Sequence, residues 1–504
     1  MATSTNEAAG RTRDSLPSDH FTYDEKKTYD EQNEAVDLKT RFPNIDERKL
    51  MAKIDLRLVP VLCVLYLLAF LDRVNISNAA LFGLKTDLKL VGNQYNTALV
   101  VFFVPYILFE IPSNALMKRF KPHLWLSGCM FFFGLTTCLQ GLSQGFGGLV
   151  TARIFLGLFE SGMFPGCFYL LAMWYRRVEA QKRYSFFFSS TTLAGAFGGL
   201  LATAIGKMDG MRGYHGWRWV FILEGLLTCL VGIAFYFLIS DFPEDVKWLT
   251  EEERQFVKAR LQQDVGESQR YKPLDAKGVF KIIRDPRVLL SGFMYLGLVA
   301  PAYGYAYFAP GIIQSLGHSA VRTQLFSVPP WAVAFALSMT IAVVSDKFGH
   351  RFLFTLIPQA ISLTGFVILF CVHNRPHLEY AGLFLAVSGA YSSMPVIICW
   401  VATNLAGHRR RSVGTGWQVG FGNIGGIIAA YAFVAKDAPK YKPGYSICIA
   451  FICLSAVSCI SYFLFISYEN RKRDRMAAQE PSRVLTYEEK QQMGDLNPDY
   501  RYQL

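Results

Sequence analysis

Apolar residues along this chain are gathered into about twelve blocks, each long enough to cross the hydrocarbon of a bilayer as a helix, with the polar residues collected between them. The first six blocks predict spans at Leu56–Ser77, Tyr95–Met117, Leu124–Leu142, Leu149–Trp174, Tyr184–Gly206 and Trp217–Ile239. The second six predict spans at Val288–Ile313, Leu325–Val344, Phe352–Val372, Leu378–Val401, Val413–Ala435 and Tyr445–Ile466. The pattern is that of an all-α membrane protein with twelve transmembrane helices in two six-helix bundles, because a lipid-exposed backbone must satisfy its hydrogen bonds internally. It divides the chain into a disordered cytosolic tail (1–54), a first bundle (55–240), a linker (241–286), a second bundle (287–467) and a second cytosolic tail (468–504). Within the linker, Thr250-Glu251-Glu252-Glu253 has the spacing of a capping box. It predicts an amphipathic helix through Phe256, Val257 and Leu261, lying on the cytosolic surface and bracing the two bundles. A smaller capping box is expected in the second tail at Thr486 to Glu489.

Composition agrees with this reading, at 52% hydrophobic and 18% charged residues. The formal charge of +12 would suggest nucleic acid in a soluble protein, but here the basic residues sit in alternate connections. Lys118, Arg119 and Lys121, then Arg176, Arg177, Lys182 and Arg183, then Arg409, Arg410 and Arg411 fall on one side if the helices alternate. The positive-inside rule places that side, with both termini, in the cytosol. Lys207, Arg212, Lys436, Lys440 and Lys442 run against the bias. The ten cysteines lie inside apolar blocks without metal-type spacing, so they read as buried thiols. No removable signal peptide is visible, and the first span is expected to serve as the insertion signal. Gly141-Leu142-Ser143-Gln144-Gly145 matches the serine-hydrolase pattern but ends a membrane helix rather than joining a strand to a helix. No P-loop is present, which argues against ATP as the driving force. Neither a cofactor nor a metal is implied.

Charges inside the spans carry the candidate chemistry. Asp72 and Arg73 interrupt the first span, and Arg153 and Glu160 the fourth. Each costs about 2.5–3.5 kcal/mol on insertion scales, which points to a polar cavity and hence a solute pathway. Arg153 and Glu160 are about two turns apart and share a helix face. Asp72, Arg73 and Arg153 are expected in the outer third, with Glu160 roughly 10 Å deeper. Neighbouring residues do not face each other on a helix. Asp72 is therefore expected to pair with Arg153, which leaves Arg73 free to grip a carboxylate through two parallel hydrogen bonds. Glu160 near the midplane is the candidate proton carrier, against the rival reading that Arg153 and Glu160 are salt-bridged structural residues. Glu110 and Glu224 read as structural. Tyr303, Tyr305, Tyr307, Ser392, Ser393 and Asn423 are the polar groups at membrane depth in the second half, with Tyr303, Ser392 and Asn423 taken as candidate substrate contacts. Gly195 to Gly199, Gly416 to Gly420 and Gly422 to Gly426 predict close helix packing in spans five and eleven. Gly162 and Pro165 in the fourth span correspond to Ser392 and Pro395 in the tenth, a register that sets Leu383 and Ala390 against Arg153 and Glu160. The ionisable machinery is thus expected in the first half alone.

These residues together resemble the major facilitator superfamily, in its anion:cation symporter family and its fungal allantoate and nicotinate permease branch. The resemblance covers about Asp55 to Tyr468 and rests on Phe70-Leu71-Asp72-Arg73-Val74-Asn75-Ile76-Ser77, Glu110-Ile111-Pro112-Ser113-Asn114, and Arg153-Ile154-Phe155-Leu156-Gly157 with Glu160, Gly162 and Pro165. Trp174-Tyr175-Arg176-Arg177, Gly422-Asn423-Ile424-Gly425-Gly426 and Asp437-Ala438-Pro439-Lys440-Tyr441 complete it. It implies the major facilitator fold and proton-coupled import of a small organic anion, a vitamin-like monocarboxylate such as nicotinate, pantothenate or allantoate. By the same resemblance Arg73 and Arg153 serve the anion, Asp72 and Glu160 the proton, and Asn423 the substrate. Asp346, Gly349 and Arg351 match the superfamily's gate motif, while its first-half copy departs from the pattern at Lys118 and Lys121. The expected partners are the anion, a proton and membrane lipid, with no nucleic acid and no second subunit. The expected location is the plasma membrane, with the vacuolar membrane as the alternative. Competing functions are an exporter of an acidic secondary metabolite, a non-transporting nutrient sensor and a membrane-embedded enzyme.

Overall fold

The computed structural model describes Leu38 and residues 40–265, 276–373, 375–405, 408–438, 440–479, 497–498 and 500–504. The first bundle contains α1 (Glu47–Leu81), α2 (Gln94–Arg119), α3 (Pro122–Gly141), α4 (Phe146–Glu160), α5 (Met163–Trp174), α6 (Arg177–Gly206) and α7 (Gly216–Leu238). The linker carries α8 (Glu251–Val265) and α9 (Ala276–Ile283). The second bundle contains α10 (Pro286–Ser315), α11 (Ala320–Phe348), α12 (Arg351–Cys371), α13 (Pro376–Asn404), α14 (His408–Ala432) and α15 (Lys442–Gln479). Helices α4 and α5 together make the fourth crossing, which breaks immediately after Glu160. Ten crossings are long and apolar enough to span a membrane by length and composition alone; α2 and α14 complete the twelve.

Burial follows the logic of a protein solvated by lipid. Phe237, Val343 and Leu464 are well exposed on the outer faces, where they meet hydrocarbon without penalty. In the second bundle α10 and α13 are the innermost helices, 83% and 89% buried, against 33% for α11 and α15. The two bundles meet along α1 with α10, α2 with α14, and α6 with both α11 and α13.

Several helices outrun the spans read from hydropathy. Asp46 caps α1 by accepting from the Arg48 and Lys49 amides, so the helix starts nine residues before Leu56. Its extra turns are polar and docked: Lys53 bonds Glu253, and Asp55 bonds Arg183. The capping box of α8 forms, with the Thr250 amide donating to Glu253 and the Glu253 amide to Thr250. Among the described residues, however, its ion pairs reach the first bundle alone. Lys53, Glu47 and Glu179, its ion-pair partners, all belong to the first bundle, whereas α9 packs on α14 and α10 of the second. The second tail begins as helix, since α15 continues to Gln479, and residues 500–504 fold back against the second bundle. The Gln503 carbonyl accepts from Trp400 and Asn404, Tyr502 exchanges two bonds with Asn470, and the Arg351 amide donates to the Leu504 carbonyl. Thr486 to Glu489 lies outside the described residues.

At the same end, Asp285 caps α10 and is bonded by Arg287 and Arg410. Burial would raise its pKa, but the two guanidiniums prevail and hold it at about 2. The stabilisation it brings is complete above the unfolded value of about 3.9 and is lost as pH falls through about 2. Asp285→Asn should therefore lower the melting temperature at pH 7 relative to the parent, and the gap should close progressively below pH 4. A gap that is independent of pH from 7 down to 2 would contradict this.

Candidate functional site

Consecutive residues on a helix point about 100° apart, and this separates Asp72 from Arg73. Arg73 turns into the space between the bundles, where a narrow cavity is lined by Tyr66, Phe70, Arg73, Tyr106, Tyr295, Tyr303, Tyr391 and Asn423, among others. Its Nε and Nη2 donate to one oxygen of Glu160, with Nε to Oε1 at 3.0 Å, and its Nη1 donates to the Tyr303 hydroxyl. The guanidinium also lies 5.1 Å from the Phe102 ring centre and 4.8 Å from that of Tyr106, within cation–π range. Arg73 and Glu160 are 2% and 1% exposed, so the pair is almost wholly withdrawn from water.

The expected Asp72–Arg153 pair does not form. Arg73 is instead the residue that is ion-paired, and its partner is Glu160. The difference in Cα depth, roughly 10 Å, is bridged by side-chain reach, since an extended arginine can meet a carboxylate one helix away. Arg153 Nη1 donates to the Arg73 carbonyl at 3.1 Å, while its Nε and Nη2 have no partner among the described residues. It therefore holds α1 at the level of Arg73 from behind and does not line the cavity. Asp72 turns away into the first bundle, 1% exposed, with Thr137 and Thr228 beside its carboxyl.

Of the second-half candidates, Tyr303 and Asn423 line the cavity. Ser392 is fully buried with an unpartnered hydroxyl and lies outside that lining. Tyr307 stacks on Tyr303, and Tyr305 faces away onto Trp331. The gate-motif residues are assembled as one turn: Gly349 closes α11 at φ +70°, a left-handed conformation suited to glycine, and brings Arg351 to 3.6 Å from Asp346.

A second, wider cavity lies on the side of residues 500–504, lined by Glu110, Tyr169, Tyr184, Ile398, Arg411 and Thr415 among others. Phe164 and Val419 line both cavities and so form the neck between them. Glu110, expected to be structural, presents to this passage a buried carboxylate that has no partner among the described residues. The opposite end is sealed by bonds between the bundles: Ser77 to the Ala306 carbonyl, Gln324 to Asn78, and Asn96 to the Ala430 and Phe433 carbonyls. Glycines make that seal possible. A Cβ on Gly195 would lie 2.4 Å from the Trp331 ring, one on Gly199 2.7 Å from Ser327, and one on Gly426 2.2 Å from the Phe103 ring. Gly416 and Gly420 do not pack closely as expected: Gly416 has open space before it on the second cavity, and Gly420 faces Glu110 at 3.6 Å.

The sequence from residue 62 to 430 matches the model of the Major Facilitator Superfamily. The chain belongs to that superfamily. It is 32% identical over 496 residues to the MFS-type transporter cnsO of Penicillium expansum, covering 96% of each chain. It is 34% identical to an uncharacterized transporter of Schizosaccharomyces pombe, covering 87% of each, and 31% identical to the major facilitator-type transporter hxnP of Emericella nidulans, covering 90% of this chain and 93% of that one. Two crystal structures of a bacterial homologue of the human lysosomal transporter Spinster, both inward-facing, superpose with TM-scores of 0.60 and 0.61 at 15% and 16% identity, covering 81% of this chain and 95% and 96% of theirs. The protein is thus a multi-pass membrane transporter of the superfamily, with the twelve-helix, two-bundle fold.

In this fold the two bundles can rock against each other, and the glycine contacts above lie where the bundles meet. Gly195→Val should leave membrane insertion intact, since it removes nothing from the bundle interior, but should cut uptake by about tenfold or more. Uptake at the parental rate would show that Trp331 yields without cost.

Proposed function

We propose that the protein imports a small organic monocarboxylate together with protons across the plasma membrane, with the end bearing the termini in the cytosol. The single observation that carries this reading is the buried Arg73–Glu160 pair on the wall of the central cavity. A guanidinium is never deprotonated in a protein, so Arg73 needs an anionic partner at every stage of a cycle. Leaving a buried charge alone costs about 3–5 kcal/mol. Exchanging one carboxylate for another on the same guanidinium costs far less. A proton arriving on Glu160 neutralises the resident partner and frees Arg73 for the carboxylate of the substrate; loss of that proton restores the pair and expels the substrate. Proton and anion are thereby linked at one side chain.

The cavity walls select the rest of the molecule. Five tyrosines and three phenylalanines line the cavity with Arg73, and Asn423 adds a polar group to its wall. A planar ring bearing one carboxylate fits this lining better than a flexible chain, because rings stack on rings while the acid engages the guanidinium. Nicotinate is the type of solute this favours. The basic residues of the loops support a cytosolic location for the termini, and the passage past Glu110 and Arg411 then becomes the inner exit.

The test is uptake into proteoliposomes of a panel of labelled carboxylates, aromatic and aliphatic, with and without an inward proton gradient. Acid-stimulated accumulation of an aromatic monocarboxylate is expected. Accumulation that needs an outward gradient would show an exporter, and no accumulation of any acid would contradict the proposal.

A further inference from the structure

The second cavity holds an acid that the exchange between Arg73 and Glu160 does not use. Glu110 on α2 lines this cavity, is 4% exposed, and has no hydrogen-bond partner on either carboxyl oxygen among the described residues. A lone carboxylate at membrane depth is costly to keep, which points to a ligand rather than to packing. Its level along α2 is set by its neighbours. Asn96 bonds across the sealed end, Tyr106 lines the first cavity with its ring 4.8 Å from the Arg73 guanidinium, and Glu110 follows Tyr106 by one helical turn, about 6 Å further from the seal.

The wall facing this carboxyl is bare backbone. A Cβ on Gly420 of α14 would lie 3.6 Å from Glu110 Oε2 and meet no other described side chain within 4 Å, and Gly416, one turn away, has open space before it. Val419, next to Gly420, forms the neck between the cavities with Phe164. Glu110 therefore stands at the inner rim of the neck, and the glycines keep the space in front of its oxygens clear. Arg411 lines the same cavity but lies nine residues before Gly420, about 13 Å along α14, and makes no bond to Glu110.

We infer that Glu110 is a second recognition point for the transported acid, and that it takes an N–H group carried at the end opposite the carboxylate. The inference rests on the proposed hold of Arg73 on that carboxylate and narrows the class of solute to one bearing an amine, an amide or a protonated ring nitrogen across a ring from its acid. An ionised carboxylate accepts hydrogen bonds and donates none, so a donor is what satisfies it. With the acid on Arg73 and the ring against Tyr106, the far edge of the solute enters the neck, and the turn from Tyr106 to Glu110 sets the acceptor there. The two ends of the site are then complementary to the two ends of the solute, guanidinium to carboxylate and carboxylate to N–H.

The experiment is calorimetric titration of the purified full chain with two acids that share one ring, benzoate and 4-aminobenzoate. A hydrogen bond to a charged group should make the parent bind 4-aminobenzoate about 10–100-fold more tightly than benzoate. Glu110→Met keeps the length of the side chain without its oxygens and should bring that ratio close to one. Gly420→Ser leaves Glu110 in place but sets a hydroxyl donor beside Oε2, where it competes with the solute, so it should lower the ratio as well. This second variant decides the matter if Glu110→Met fails to fold. A parental ratio near one, a parental ratio retained in Glu110→Met, or a ratio untouched by Gly420→Ser would each overturn the inference. Binding of neither acid by the parent would overturn the proposed anion site, and the inference with it, so the two failures are distinguishable.

Discussion

Arg73→Lys, which keeps the positive charge, is expected to reduce uptake of the transported acid by roughly 10²–10³-fold. The guanidinium makes two bonds to Glu160 and one to Tyr303 from a single plane, and it lies against the faces of Phe102 and Tyr106. A lysine ammonium is a compact point charge with no such plane, so it cannot hold a carboxylate through two parallel bonds while stacking on rings. Losing this fit at a buried charge is worth about 3–5 kcal/mol, and each 1.4 kcal/mol is about tenfold in binding. Initial rates at low substrate concentration in proteoliposomes check it, with reconstituted protein measured to exclude loss by misfolding. Retention of more than a tenth of the parental rate would place the anion elsewhere.

Glu160→Gln should have the other large effect, on coupling rather than on affinity. Glutamine has the shape of the acid but neither its charge nor its exchangeable proton. On the proposed mechanism, anion binding in the parent follows protonation of Glu160, so uptake should be greatest at acid external pH and fall as pH rises. In the variant Arg73 has no resident anion to give up. Binding of the carboxylate should then be tighter and nearly insensitive to pH between about 5 and 7, and accumulation against a gradient driven through this residue should disappear. A pH profile identical to the parent's would remove Glu160 from the mechanism.

How much of this was readable beforehand depends on what each feature is made of. Spans were legible because a lipid-facing helix must be apolar along its whole length, and a charge such as Arg73 or Glu160 stands out against such a run. The partnering of those charges was not legible. It depends on the rotation of α1, which sends Arg73 to the cavity and Asp72 into the bundle, and on the length of the arginine side chain, neither of which is a property of spacing. Glu110 and Glu224 were set aside because they sit beside a proline and an aromatic anchor; their buried, unpartnered carboxyls become visible only when neighbouring helices are in place. The signal that could have found them is the one that found Glu160, an acid at membrane depth with no basic residue a turn away. The break of the fourth crossing after Glu160 had a local sign in Gly162, whose Cβ would lie 2.1 Å from Ser113. Docking of residues 500–504 had none, because Tyr502 and Gln503 find Asn470 and Asn404 through tertiary contacts alone.

The central claim is that one guanidinium changes partners, from Glu160 to the substrate carboxylate, as Glu160 takes up a proton. Calorimetric titration of the purified protein with the transported acid, at one pH in buffers of different ionisation enthalpy, reads this directly. Proton uptake on binding is predicted for the parent, with about one proton fewer in Glu160→Gln. Equal proton uptake in the two proteins, or none in the parent, would contradict the account.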